Sequence, residues 1–433
     1  MSFPFKDAKD LRNHAAELGI VLPWSEDVSA LTGPVDGPGY TLPNALCAQP
    51  MEGNDSDESG APTAMTLHRY RRAAAGGSGL IWVEAVAVSQ EARANPRQLL
   101  VTKDNVPAYA ELMREILRAA SEAGRPRPVV VVQLTHSGRN TTGRRIAASA
   151  HAVMNPHQKL PMDYPIIADE ELKDVQRQFA EAAVMLREAG FDGVDIKCCH
   201  LYLLSELLGA ANRPGPYGGD WAGRARMQYE TTDAIIGTAG RDWLYATRLN
   251  VCDMMPGGFG TSAELAPDYA EPAELVVALR AKGVTLFNAT MGTPYYNPHI
   301  NRPYASHPKG EGYDAPEDPL VGVVRLLEGA KAIQRVAPDT VCVATGFSYL
   351  RRYATNVAAG MVQNGEAKAV GFGRGWLAYP DYAIDIEKGG MVSSKCCMTC
   401  GYCTYLMRRA EPVGCPVRDA AYRPALARAR AKG

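Results

Sequence analysis

Eight short apolar or β-branched runs recur between Ala45 and Phe372, and this alternation limits the possible folds more than any other feature of the chain. The runs are Ala45–Gln49, Leu80–Ala85, Val129–Leu134, Gly193–Cys198, Leu244–Asn250, Val284–Asn288, Val341–Thr345 and Ala369–Phe372. Several are continuous rather than alternating, as in parallel strands buried on both faces. Helical patterns lie between most of them. From about Asp169 to Ala189, the residues Leu172, Val175, Phe179, Ala182 and Leu186 form an apolar stripe, and Gly190 supplies a stop. A second helix is predicted near Tyr109–Ala123, ending at Gly124. Strands and helices in this order predict an α/β fold, a (β/α)8 TIM barrel. A doubly wound open sheet has the same periodicity, which does not report closure.

Past the last run stand Cys397, Cys400, Cys403 and Cys415, in the pattern C-x2-C-x2-C-x11-C, with Cys396 just before. Short spacers let three thiolates converge on one inorganic centre, and the fourth returns from beyond a loop. The pattern suits a [4Fe–4S] cluster or a four-thiolate zinc site. Zinc more often takes two separate C-x2-C pairs, so the equal steps favour iron–sulfur. The chain is therefore divided into a barrel over 1–390 and a short iron–sulfur-binding segment over 391–433. Lys and Arg number 46 against 47 Asp and Glu, so bulk charge gives no case for nucleic acid or membrane. The start, MSFPFKDAKDLRN, lacks the basic and apolar regions of a signal peptide, and ten cysteines fit a reducing compartment. The expected location is cytoplasmic.

In a barrel, the C-terminal ends of the strands build the active site. The first strand leads into Pro50, Met51 and Glu52; the third carries Gln133; the fourth leads into Lys197, His200 and Tyr202. The seventh ends at Gly346 and Phe347, and the eighth at Gly373 and Arg374. Glycines after the last two strands let backbone N–H groups approach an anion, and Arg374 adds charge, the pattern of a barrel phosphate site. A plain glycine turn reads the same way in isolation. Gln133 can pair with the amide edge of a heterocycle, or cap a loop. Asn250–Ala266 and Asn297–Asp318 are long enough to be lids or inert excursions.

Taken in order, these motifs resemble the Old Yellow Enzyme family of flavin barrels, over roughly Leu42 to Asp381. With the cysteine segment added, the chain resembles the family's iron–sulfur branch, which holds dienoyl-CoA reductase, enoate reductases and trimethylamine dehydrogenase. The resemblance implies FMN across the barrel mouth, lined by Pro50, Met51 and Glu52 and paired with Gln133. It assigns Arg226 to the negative charge of reduced flavin, and Gly346, Phe347, Gly373 and Arg374 to the phosphate. Cys397, Cys400, Cys403 and Cys415 take the [4Fe–4S] cluster. Arg224 is expected to be a structural ion-pair partner.

Ene-reductases of the family bind a substrate carbonyl through a His-x-x-His or His-x-x-Asn pair, followed by a tyrosine acid. Here Tyr202 and His200 keep their positions, and Lys197 departs from the pattern. A lysine in a water-poor mouth calls for an anion, either a substrate carboxylate or a protein one such as Glu52 or Glu84. Glu52 stands where trimethylamine dehydrogenase has a flavin-linked cysteine, so the FMN should be non-covalent. No G-x-G-x-x-G element follows the cysteines, so electrons are expected to pass through a separate carrier protein, or to come from NAD(P)H acting directly at the flavin. The expected reaction is reduction of an activated C=C bond in a small molecule, carboxylate-bearing if Lys197 meets substrate. Amine or alcohol oxidation is the alternative, with Tyr295 and Tyr296 as part of a cage for an alkylammonium group. A homo-oligomer is compatible with all of these readings.

Anaerobic purification should yield FMN and about four irons per chain with acid-labile sulfide. Denaturation should release the flavin, and Cys396→Ser should keep the cluster. Stoichiometric zinc without sulfide, or flavin retained on acid-precipitated peptide, would contradict this reading.

Overall fold

The computed structural model describes residues 3–306 and 312–432. Part of the Asn297–Asp318 stretch, residues 307–311, lies outside the described residues. All eight apolar runs form strands: β1 (Leu46–Ala48), β2 (Leu80–Ala87), β3 (Val129–Thr135), β4 (Gly193–Ile196), β5 (Leu244–Cys252), β6 (Val284–Met291), β7 (Val341–Ala344) and β8 (Ala369–Phe372). Each pairs in parallel with the next, and β8 closes on β1 through Val370–Leu46, Gly371–Cys47 and Phe372–Ala48. The barrel is closed, and the open-sheet alternative falls. Helices α1 (Ala64–Ala75), α2 (Val106–Glu122), α3 (Asp169–Glu188), α4 (Trp221–Ala239), α5 (Ala270–Lys282), α6 (Pro319–Val336) and α7 (Ala354–Gln363) connect the strands.

Period-2 geometry sorts each strand into an inner and an outer face. Cys47, Leu80, Trp82, Val129, Val131, Leu244, Ala246, Leu286, Val341, Val343 and Ala369 form one buried cluster, the packed barrel interior. Their neighbours Leu46, Ile81, Val130, Val132, Tyr245, Cys342 and Val370 face outward, in the cluster shared with the helices. An N-terminal hairpin, Val35–Gly37 paired with Tyr40–Leu42, adds Leu42 to the inner cluster, and the Tyr40 hydroxyl donates to Thr285 O at 3.1 Å. One step further along the inward register, the residues turn polar: Gln49, Gln133, Arg248, Asn288 and Thr345, with Gly371 between them. Gly371 has no side chain for a packing reason, since a Cβ there would lie 1.9 Å from Gln49 Nε2.

The pairing of β2 with β3 shifts register between Val83 and Val86. At this irregularity the buried Glu84 carboxylate accepts from the backbone N–H of Gly53 and from Arg69 of α1, and Arg69 also pairs with Asp55. Arg69 further reaches Val413 O and the Tyr422 hydroxyl, each at 3.4 Å, and Val413 N donates to Gly53 O at 2.7 Å. The loop after β1 is thus held between the barrel and the C-terminal segment. The other long loop, Asn250–Ala266, is pinned rather than free. Asp253 accepts from Asn250 Nδ2 and from Phe259 N, and buried Phe259 stacks on Trp221. Arg224 pairs with Glu271, a structural contact as expected.

Arg69→Met leaves two buried carboxylates facing each other without their cation. Unfolding in urea should show a loss of about 3–5 kcal/mol, the range for breaking a buried ion pair from one side. An unchanged midpoint would mean that the triad carries no stability.

Candidate active site

The polar layer opens into a cavity of about 450 Å³ at the C-terminal ends of the strands, within the usual range of small-molecule sites. Pro50, Met51, Glu52, Gln133, Lys197, His200, Tyr202, Gly346, Gly373 and Arg374 all line it. Two predicted residues do not. Phe347 is buried in the core against Phe372, with ring centroids 5.8 Å apart, so only its backbone is available to a ligand. Arg226 is a correction: it lies on α4, exposed, with its Nε donating to Pro216 O and its guanidinium near Glu230. The arginine that a barrel strand brings into the mouth is Arg248, on the inward register of β5. It was legible as the one cation inside the strand run LYATRLN, two steps beyond Ala246.

Asp195 organises this end of the barrel. Its Oδ2 accepts from Trp82 Nε1 at 2.8 Å and from Gln133 Nε2 at 2.6 Å, and its Oδ1 from Arg248 N at 2.7 Å. With its amide nitrogen so engaged, Gln133 keeps Oε1 as an acceptor on the cavity side. Arg248 Nη1 reaches Pro50 O at 3.4 Å, while its Nε is buried without a partner. Gln49 Oε1 accepts from Asn288 Nδ2 at 2.6 Å, leaving Gln49 Nε2 unmatched. Unspent donors and an acceptor around one apolar slot fit the polar edge of a flat heterocycle.

The opposite end of the cavity is cationic. Arg374 donates to Pro303 O at 3.0 Å, beside Gly346, whose φ of 110° lies in the left-handed region. Arg302 and Arg408 line the same wall. Burial first, then Arg374 and Arg408, push Arg302 down to about 10. Guanidinium groups crowded in this way favour a bound anion such as a phosphate. The sequence reading missed Arg302, in the loop just past the short helix Pro298–Asn301, and Arg408, at the end of the helix Tyr402–Arg408; no local pattern reports the approach of either segment to the barrel.

The fourth-strand trio shares one wall. Lys197 Nζ sits 3.6 Å from the centroid of the Tyr202 ring, and among the described residues it forms no ion pair within 4 Å. Glu84 is committed to Arg69, and Glu52 accepts from Asn95 Nδ2 at 2.7 Å. Burial drives Lys197 down to about 8 and the Glu52 carboxyl upward. Asn301 Nδ2 lies 2.8 Å from His200 Nε2. An amide nitrogen only donates, so Nε2 accepts and Nδ1 carries the proton. Burial, with Arg248, Lys197 and Arg302 nearby, holds His200 well below the usual histidine range. It is a neutral donor. His200 and Leu201 both take positive φ, 65° and 55°, a strained pair of the kind that clusters at functional sites. Tyr202 bonds the Tyr295 hydroxyl at 2.9 Å, whereas Tyr296 turns its ring to His157. The two tyrosines form no common cage.

Cys403 reaches the cavity wall, with Met407 and Val413. It helps raise the thiols of Cys397, Cys400 and Cys415, after burial as the largest cause. The four are therefore electrostatic neighbours. Among the described residues, however, no three Cys, His, Asp or Glu side chains are close enough to hold a metal ion. Cys396 is buried in the core, with its Sγ 3.4 Å from Val392 O.

Residues 33–391 match the NADH:flavin oxidoreductase / NADH oxidase family. The chain belongs to this family. It is a flavin-dependent oxidoreductase. It is 28% identical over 259 residues to NADPH dehydrogenase of Bacillus pumilus (strain SAFR-032), covering 59% of this chain and 71% of that one. To the metal reductase of Desulforamulus reducens (strain ATCC BAA-1160 / DSM 100696 / MI-1) it is 25% identical over 402 residues, covering 92% of this chain but 55% of that one. A 2-naphthoyl-CoA reductase structure superposes with a TM-score of 0.69 at 19% identity, over 90% of this chain and 57% of that one. This last likeness is one of fold. Among the described residues no helix is long and apolar enough to cross a membrane.

Replacing Arg248 by Met should lower the flavin content of the purified protein, measured by absorbance per chain, while Arg226→Ala leaves it near one. The reverse result would restore Arg226 to the site.

Proposed function

We propose that this oxidoreductase reduces an activated C=C bond of a small acid or carbonyl compound, with FMN in the barrel mouth. The observation that carries the proposal is the trio of Lys197, His200 and Tyr202 on one cavity wall, with Lys197 lacking a carboxylate partner. When bound, the flavin supplies a hydride. Gln133, Arg248 and Gln49 would hold its polar edge, and Gly346, Gly373, Arg374 and Arg302 its phosphate. Glu52 offers no thiol for a covalent link. NAD(P)H use fits the family and is proposed here as one source of reducing equivalents.

The chain's own residues account for the remaining steps. Lys197 and His200 line the cavity as cation and neutral donor, and together they would orient and polarise a carbonyl or carboxylate. Tyr202 stays protonated, because burial and its Tyr295 partner hold it well above the usual phenol range. It can therefore give a proton to the α-carbon. Lys197 puts a positive charge on this wall, over the Tyr202 ring, and its repulsion of an alkylammonium group weighs against amine oxidation.

Cys397, Cys400, Cys403 and Cys415 are proposed as ligands of a [4Fe–4S] cluster. A four-iron centre spans its thiolates more widely than a single zinc ion does, which suits neighbouring but unclosed thiols. Electrons would then reach the mouth on the Cys403 side from a separate carrier. Residues 395–433 hold eight Lys and Arg against two Asp and Glu, in a chain that is otherwise acidic. Both acids are spent internally, Glu411 on Arg428 and Lys432, and Asp419 on Arg72. Lys395, Arg428 and Lys432 are paired within the chain, and the excess that remains in this segment suits an acidic protein.

Tyr202→Phe should slow reoxidation of the reduced enzyme by enoates about 10²–10⁴-fold and leave flavin reduction nearly intact, as read by stopped-flow absorbance. Lys197→Met should weaken binding of the acid far more than of its neutral ester. In the native enzyme, acid binding should be strong below pH of about 8, where Lys197 is charged, and weaken above it. Equal losses for acid and ester would make Lys197 structural, and an unaffected Tyr202→Phe enzyme would end the ene-reductase reading.

A further inference from the structure

Tyr202 is only 3% exposed, so an acid that gives up its proton in this cavity must regain one before the next turnover. Its hydroxyl oxygen lies 2.9 Å from that of Tyr295. The two rings stack with centroids 6.2 Å apart. Tyr295, by contrast, is 40% exposed and lines two cavities: the active-site mouth and a second, open cavity of about 420 Å³ bounded by Asn140, Arg145 and His157. His157 Nε2 lies 2.9 Å from the Tyr295 carbonyl oxygen and anchors the backbone between the two spaces.

We infer that Tyr295 is a relay that reprotonates Tyr202 from water in the second cavity. This rests on the ene-reductase reading given above. Tyr202 transfers its phenolic proton to the substrate α-carbon as the hydride, supplied by reduced flavin, arrives at the β-carbon. The Tyr202 phenolate then takes the Tyr295 proton along the 2.9 Å contact. Tyr295 takes a proton from water, and both phenols end as they began. The substrate has gained one hydride and one proton. Among the described residues neither phenol oxygen has another side-chain hydrogen-bond partner, so the pair is a path with one inner and one outer end.

The test uses the anaerobic holoenzyme and a simple enoate that reoxidises it. In Tyr295→Phe, the packed ring remains and only the relay oxygen is lost. Later turnovers should fall at least about tenfold relative to the first, a modest share of the range for general-acid steps. They should also show a larger solvent deuterium effect than in the native enzyme. Tyr295→His, which restores an ionisable group, should recover part of the loss. Carbon NMR of ring-labelled tyrosine gives a readout independent of turnover. The resonance missing from Tyr202→Phe should be shifted in Tyr295→Phe. Equal slowing of first and later turnovers, or a His variant as slow as Phe, would reduce Tyr295 to packing. An unshifted Tyr202 resonance would deny the contact itself. If native enzyme is reoxidised by no enoate, both the relay and the ene-reductase reading fall. If enoates work and the first-to-later ratio is unchanged, the relay alone falls.

Discussion

The geometry of the mouth depends on one buried carboxylate. Asp195 collects an indole N–H from β2, an amide N–H from β3 and a backbone N–H from β5, and so ties four neighbouring strands at the level where the barrel turns polar. Burial still lifts its own carboxyl to about 6, so three donors do not fully offset the loss of water. What they secure is direction. Gln133 cannot turn its amide without giving up the Asp195 bond, and Arg248 leaves the strand at a fixed point. A ligand meeting these groups finds their donors and acceptor already aimed, which lowers the ordering cost of binding.

A second constraint couples this mouth to the cysteine segment. Glu84 holds the backbone of Gly53, Arg69 holds Glu84 and Asp55, and Val413 closes back onto Gly53. Pro50, Met51 and Glu52 thus lie between the end of β1 and a loop fixed partly by residues near Cys415. The mouth and the cysteine segment are thereby held in one packed unit. The charge of that unit differs from the rest of the chain, which places any electrostatic steering on the cysteine side.

Much of this was legible in the sequence, and the exceptions share a cause. All eight strands could be read because parallel strands buried on both faces are continuous apolar runs, and the residues that end them, such as Gln133 and Lys197, could be placed at once. Arg226 misled because order along the chain does not tell a helix position from a strand position; the inward parity Leu244, Ala246, Arg248 does. Arg302 lies in a loop and Arg408 at the end of a short helix remote in sequence, and only the folded chain brings them to Arg374. Asp195 was hidden by its own role, since a carboxylate inside an apolar run looks like an interruption until its three donors are seen.

Lys197 shows how the parts combine. A lone ammonium in a buried mouth is costly. Here the cost is met in part by the face of Tyr202 at 3.6 Å and in part by moving the lysine toward neutrality at about pH 8. Neither device neutralises it as a protein carboxylate would. Glu52 and Glu84, the two acids near enough on the sequence reading, are held by Asn95 and Arg69. The site therefore keeps an unspent cation beside a tyrosine that retains its proton. That pairing favours an anionic or strongly polarised substrate, and it disfavours a cationic one on the same wall.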